Sequence, residues 1–269
     1  MADQTIVLIT GANTGLGLEI VKSLYATSAK PYHIILGARS INKANEAIAT
    51  VKQSQGSKDT GTTFEAVQID LESDSSISAA YEYIQANHPR IDALVNNGGA
   101  AFDNELAAHR MTAREAWNKA YDVNVAGTQV MTTAFIPLLL KSSTPRLLFV
   151  TSGGSTLQGA TDPNFPRYTV PPAGWPKPAA PSFISYRSSK TALNMLMIDW
   201  DRILRNDGVK VWCISPGLLA TGLGGNAEAL KKMGAEDPVV GGNFIRDVLE
   251  GKRDTDVGRV INRAGIQPW

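Results

Sequence analysis

The chain has 269 residues, 43% of them hydrophobic, enough to bury a large core within the length at which a single α/β domain forms. Its 26 basic and 25 acidic residues leave a formal charge of +1 with no long run of either sign, which argues against nucleic acid or an anionic membrane as partner. Cys213 is the single cysteine, so no intrachain disulfide can form and nothing points to an oxidising compartment.

Short apolar runs alternate with longer helical patterns, the signature of a parallel sheet covered on both faces. In chain order the predicted strands are Ile6 to Thr10, His33 to Gly37, Phe64 to Ile69, Ala93 to Val95, Leu147 to Thr151, Val209 to Ser215 and Gly258 to Ile261. Between them, Leu16, Ile20 and Leu24 share a helical face, and Ile77 to Ala86, Thr112 to Leu140 and Tyr186 to Arg205 also read as helices. The expectation is a doubly wound, seven-stranded parallel α/β sheet forming one domain over 1–269. The first strand begins too early for a signal peptide, and no apolar stretch approaches the ~20 residues needed to span a bilayer. A cytoplasmic protein is therefore expected. The three histidines, His33, His88 and His109, are widely separated with no metal-ligand spacing, so no metal is expected.

Immediately after the first strand, Thr10-Gly11-Ala12-Asn13-Thr14-Gly15-Leu16-Gly17 opens a helix. Glycines there permit a tight turn and the close approach of a diphosphate, whose charge the free N–H groups of the helix N-terminus stabilise. A plain strand-to-helix turn is the simpler alternative. The second predicted strand ends in Gly37-Ala38-Arg39-Ser40. A carboxylate at that place would accept hydrogen bonds from a ribose 2'-hydroxyl. Arg39 and Ser40 suit a 2'-phosphate instead, which favours NADPH over NADH unless Arg39 is an ordinary solvated arginine.

The spacing G-x-x-x-G-x-G of Gly11, Gly15 and Gly17 resembles the compact form of the short-chain dehydrogenase/reductase family, and the resemblance extends along almost the whole chain. It implies an adenine-contacting role for Asp70. Asn96-Asn97-Gly98-Gly99 is similar to the family's Asn-Asn-Ala-Gly turn, with Gly98 departing from alanine in a way expected to loosen it. Tyr186-Arg-Ser-Ser-Lys190 matches Y-x-x-x-K, a weak pattern alone. On one helical face the Lys190 ammonium would favour the Tyr186 phenolate and make it a usable acid/base. Ser152, just past the fifth strand, aligns with the substrate-orienting serine. Asn124 resembles the asparagine that disturbs its helix to hold a water in a proton relay, although an ordinary helix bend would also account for it. Pro216-Gly217 followed by Thr221 matches the segment that passes the nicotinamide. The implied cofactor set is thus Gly11, Asn13, Thr14, Gly15, Leu16, Gly17, Arg39, Ser40, Asp70, Asn97, Tyr186, Lys190, Pro216, Gly217 and Thr221.

Together these features resemble the carbonyl-reductase-like and retinol-dehydrogenase-like branches and imply NADP(H)-dependent reduction of a ketone or aldehyde. A non-redox NADPH-binding regulator or cyclase is the alternative. Seven of the 14 prolines fall between Pro163 and Pro181, inside an unusually long interval from Ser152 to Tyr186. This irregular insertion, about 155–185, is expected near the substrate mouth with Phe165, Tyr168, Trp175 and Phe183, unless it is surface decoration or a subunit contact. The glycine-rich stretch at about 218–244 reads as a substrate lid or as loop turns. By resemblance, the apolar helices around Asn124 and Tyr186 pair subunits into a homodimer or homotetramer.

Overall fold

A computed structural model describes residues 4–26, 30–54, 61–164, 169–177, 183–225 and 227–269. Its strands are β1 (Thr5–Thr10), β2 (Tyr32–Ala38), β3 (Thr63–Gln68), β4 (Ala93–Asn96), β5 (Arg146–Val150), β6 (Lys210–Ile214), β7 (Val260–Asn262) and β8 (Gly265–Ile266). They form one sheet in the order β3-β2-β1-β4-β5-β6-β7-β8. Seven strands run parallel as expected, but β8 turns back and pairs antiparallel with β7, so the sheet has eight strands. Two residues past β7 suffice for this reversal, and Asn262 Oδ1 holds it by accepting from the N–H groups of Ala264 and Gly265.

Ten α-helices complete the described chain: α1 (Gly15–Ala26), α2 (Ile41–Ser54), α3 (Asp74–Asn87), α4 (Asp103–Ala107), α5 (Ala113–Tyr121), α6 (Gly127–Leu139), α7 (Leu157–Thr161), α8 (Ile184–Leu204), α9 (Ala227–Lys232) and α10 (Pro238–Leu249). Strand side chains alternate between the sheet's faces. Leu8, Ile35, Leu94 and Phe149 therefore pack with Ile77, Phe135 and Met197 of α3, α6 and α8, whereas Val7, Ile9, Ile34 and Leu148 pack with Ile20, Val51 and Ile245 of α1, α2 and α10. Phe135 is fully buried, and truncating such a side chain to alanine costs about 3–5 kcal/mol.

The helix expected across Thr112 to Leu140 is divided. A capping box of Thr112 and Glu115 starts α5, residues Asp122–Ala126 widen into a π-turn, and α6 follows. Between β1 and β4 the strand order reverses, which opens the crevice where such sheets bind ligands. In the presumed lid stretch, Gly241 and Gly242 instead lie on α10 against α1, where a Cβ on Gly242 would come within 2.5 Å of the Glu19 carbonyl oxygen. At these two positions the missing Cβ lets α10 pack closely against α1 and its neighbours.

His33 and His88, 55 positions apart in sequence, both meet Glu65, because the β2–β3 register and the end of α3 converge there.

Candidate active site

Gly11 and Gly15 take φ of +62° and +54°, conformations that residues with a Cβ rarely adopt, so the turn after β1 needs glycine at both positions. Asn97 holds that turn from just past β4: its Nδ2 donates to the carbonyls of Thr10 at 2.9 Å and Gly11 at 3.2 Å. The Gly98 N–H adds a 2.8 Å bond to Thr10 Oγ1. The turn is therefore tied despite the missing alanine methyl, whose place is crowded by Leu71 Cδ1, 2.9 Å from where that Cβ would stand. Asn97, predicted to touch cofactor, spends its amide donor on this bracing.

Thr221 lies beside the cradle, its Cβ 3.6 Å from the position a Gly15 Cβ would take. Pro216 and Leu16 both pack against Gly241, and Gly217 has φ +105°. Asn13 is half-buried and Thr14 exposed at the mouth of the turn. At the end of β2 the Arg39 side chain is 77% exposed, with Glu72 Oε2 4.0 Å from its guanidinium. Ser40 Oγ accepts from the Lys43 N–H at the start of α2, and Asp70 Oδ1 accepts from the Glu72 N–H just beyond β3.

A second group forms where β5, α8 and the π-turn meet. The Ser152 hydroxyl lies near enough to the Tyr186 phenol to lower its proton affinity, across the long interval that separates the two in sequence. Lys190 Nζ lies 5.7 Å from the Tyr186 ring centroid and donates to the Val150 carbonyl at 2.8 Å. Fully buried Asn124 donates from Nδ2 to Ala100 O and Ser189 Oγ and accepts at Oδ1 from the Ala100 N–H. Gly99 closes the group: a Cβ there would stand 3.0 Å from Asn124 Oδ1 and 3.2 Å from Lys190 Nζ.

Burial dominates the electrostatics of this group. Burial pushes the Tyr186 phenol up to about 12, against a smaller lowering by the Ser152 hydrogen bond. Burial also pushes the Lys190 ammonium down to about 8. Desolvation disfavours both charged forms, and the ammonium spends a donor on Val150 instead of the phenol. Burial thus favours the neutral phenol of Tyr186.

Two supports escaped the sequence reading. Helix α8 begins after Phe183, which has the left-handed φ of +44° and makes no side-chain cap. The buried Asp103 carboxylate caps it from 82 positions away, accepting from Ser185 N–H at 3.0 Å, Ser185 Oγ at 2.9 Å and Tyr186 N–H at 3.2 Å. On the other side, Gln267 Nε2 donates to the Ser152 carbonyl at 3.2 Å, fastening the serine to the segment after β8. Neither partner carries a local sequence signal. Of the proposed mouth aromatics, Phe165 and Tyr168 lie outside the described residues, Phe183 is half-buried, and Trp175 is 87% exposed.

Residues 5–168 match the family model for short chain dehydrogenases. The chain is 46% identical to the short-chain dehydrogenase/reductase eupG of Phoma sp, over 99% of this chain and 98% of that protein. It is 41% identical to the short-chain dehydrogenase/reductase tropE of Talaromyces stipitatus, over 100% and 99% of the two chains. Among solved structures, NADPH-bound carbonyl reductase from chicken fatty liver has a TM-score of 0.77 at 23% identity, over 99% of each chain. The Pseudomonas aeruginosa RhlG/NADP active-site complex has a TM-score of 0.75 at 20% identity, over 98% of this chain and 95% of that one. At such identities the structural likeness concerns the fold, whereas the family match and the full-length relatives concern descent. The chain belongs to the short-chain dehydrogenase/reductase family.

Proposed function

We propose that this protein is an NADPH-dependent carbonyl reductase acting on a lipophilic or aromatic ketone or aldehyde. The observation that carries the proposal is the meeting of Lys190 with the Tyr186 ring and, across Gly99, with Asn124, with the Ser152 hydroxyl near the phenol. A protein that only bound a nucleotide would have no use for that set.

The residues present fit the cofactor. Left-handed Gly11 and Gly15 bring no Cβ to the two ends of the turn, and the N-terminus of α1 presents N–H groups suited to a diphosphate. Arg39, largely exposed beyond β2, suits a 2'-phosphate, with Ser40 beside it and Asp70 available to adenine. Asn13, Thr14, Leu16, Gly17, Pro216, Gly217 and Thr221 would line the rest of the path. Solved neighbours named as NADPH or NADP complexes support the same choice. When bound, NADPH supplies the hydride.

The chain's own residues supply the proton and the geometry. Ser152 donates a hydrogen bond to the substrate oxygen and aligns it with Tyr186, whose protonated phenol delivers its proton as negative charge develops there. General acid catalysis of this kind contributes about 10²- to 10⁴-fold. Lys190 keeps positive charge beside the ring and holds the nicotinamide ribose, and Asn124 joins it in the route that restores the proton. The whole chain, 1–269, works as one domain in a cytoplasmic homodimer or homotetramer, with Tyr121, Met195 and Ile203 on the exposed faces of α5 and α8 as the apolar contact. Among the described residues no helix is long and apolar enough to cross a membrane.

Purified protein given NADPH and a panel of lipophilic ketones and aldehydes should oxidise the cofactor, and Tyr186→Phe should not. Tight NADPH binding with no turnover across the panel would instead identify a non-redox binder.

A further inference from the structure

His33 Nε2 lies 3.1 Å and His88 Nε2 2.6 Å from the same oxygen, Glu65 Oε2. One ligand atom from each residue falls within 4.8 Å of the others, and the two imidazole rings are 4.8 Å apart. The fold makes this meeting specific. His33 opposes Thr63 in the parallel β2–β3 ladder, so Glu65, two residues on, shares its face. His88 ends α3, its N–H donating to Ile84 O, and brings its ring to the same spot.

Each imidazole Nε2 meets that carboxylate oxygen either through its own N–H hydrogen, which a neutral ring can carry there, or through one metal ion that takes the place of both hydrogens. Two imidazoles and a carboxylate are the donor set of zinc and its late first-row neighbours, which bind them at about 2.0–2.2 Å. An outer hydrogen bond that orients such a ligand is also present: Thr63 Oγ1 stands 2.8 Å from His33 Nδ1, leaving Nε2 aimed at the centre. Side chains only 14–17% exposed leave the site sheltered yet open to solvent for a fourth ligand.

We propose that His33, Glu65 and His88 bind one divalent transition-metal ion of the zinc class, clamping the β2–β3 edge of the sheet to the end of α3. Six residues of strand, roughly 20 Å at about 3.3 Å per residue, separate His33 from Arg39, so the site is distinct from the proposed reductase centre and does not depend on it.

Competition against a chromophoric chelator, with Zn²⁺ as probe, should find one ion per wild-type chain. Co²⁺ in its place should give the intense visible absorption of a four-coordinate site. His88→Gln and Glu65→Gln should each weaken binding by about 10-fold or more, and the Zn²⁺-dependent rise in wild-type Tm should be lost in both. The proposal is overturned by a wild type that takes up no Zn²⁺ at micromolar concentration, by the weak spectrum of six-coordinate Co²⁺, or by folded variants that bind as the wild type does. Should either variant fail to fold, the wild-type stoichiometry and Co²⁺ spectrum decide by themselves.

Discussion

The two ends of the interval from Ser152 to Tyr186 are held from several directions, whereas its described middle faces solvent. At one end, Gln267 holds the Ser152 carbonyl and Arg187 Nε donates to Gly154 O. At the other, Asp103 caps the first turn of α8 under Tyr186. Between them Val170 is 72% and Trp175 87% exposed. A proton donor must be placed within a fraction of an ångström, which demands many fixed contacts, whereas a segment that only greets substrate can change without disturbing the chemistry.

The largest test of that contrast is at the fixed end. Tyr186→Phe should lower kcat by about 10²- to 10⁴-fold, with NADPH binding retained by fluorescence titration. Wild-type-like turnover would remove Tyr186 from the chemistry. Asp103→Ala strips three donors of a buried anionic partner and should cost about 2–3 kcal/mol in denaturant unfolding. If Asp103 positions Tyr186, kcat should also fall about 10- to 100-fold while KM for NADPH holds, with much of the loss recovered in Asp103→Asn. A loss of stability at unchanged kcat would make it a cap and nothing more.

At the cofactor end, Arg39→Ala should narrow the preference for NADPH over NADH by about 10- to 100-fold in kcat/KM, the worth of a charge-assisted hydrogen-bonded contact to phosphate. An unchanged ratio would make Arg39 a solvated arginine. A pH profile addresses the two buried groups together. Burial raises the Tyr186 phenol to about 12 and lowers the Lys190 ammonium to about 8, so rising pH removes the lysine proton first. For reduction, kcat/KM should be level through neutral pH and decline as the pH passes about 8, since that parameter follows the free enzyme. A profile flat well above that point would deny Lys190 its role. The smallest effect belongs to the exposed middle: Trp175→Ala should change stability by no more than about 0.5 kcal/mol and show itself, if the segment meets substrate, in KM across the ketone panel.

Much of the fold was legible because its signals are local. Runs such as Ile6 to Thr10 must be apolar on both faces to lie in a covered parallel sheet, and the strand-glycine-helix order around Gly11 is contiguous. Tyr186 and Lys190 share a helical face by spacing alone. Boundaries moved by one to three residues, and the helix through Asn124 reads as continuous because a π-turn keeps nearly the same apolar periodicity.

By itself, then, the sequence determined the parallel strands, the glycine cradle and the order of the proposed catalytic residues, since each depends on periodicity or backbone freedom within a few neighbouring residues. Only the tertiary structure decided which distant groups meet: Asp103 under α8, Gln267 behind Ser152, β8 against β7, and His33 with His88 around Glu65. Those meetings follow from strand order and register, which are properties of the whole sheet, and the same burial that joins the groups changed the proton affinities of Tyr186 and Lys190.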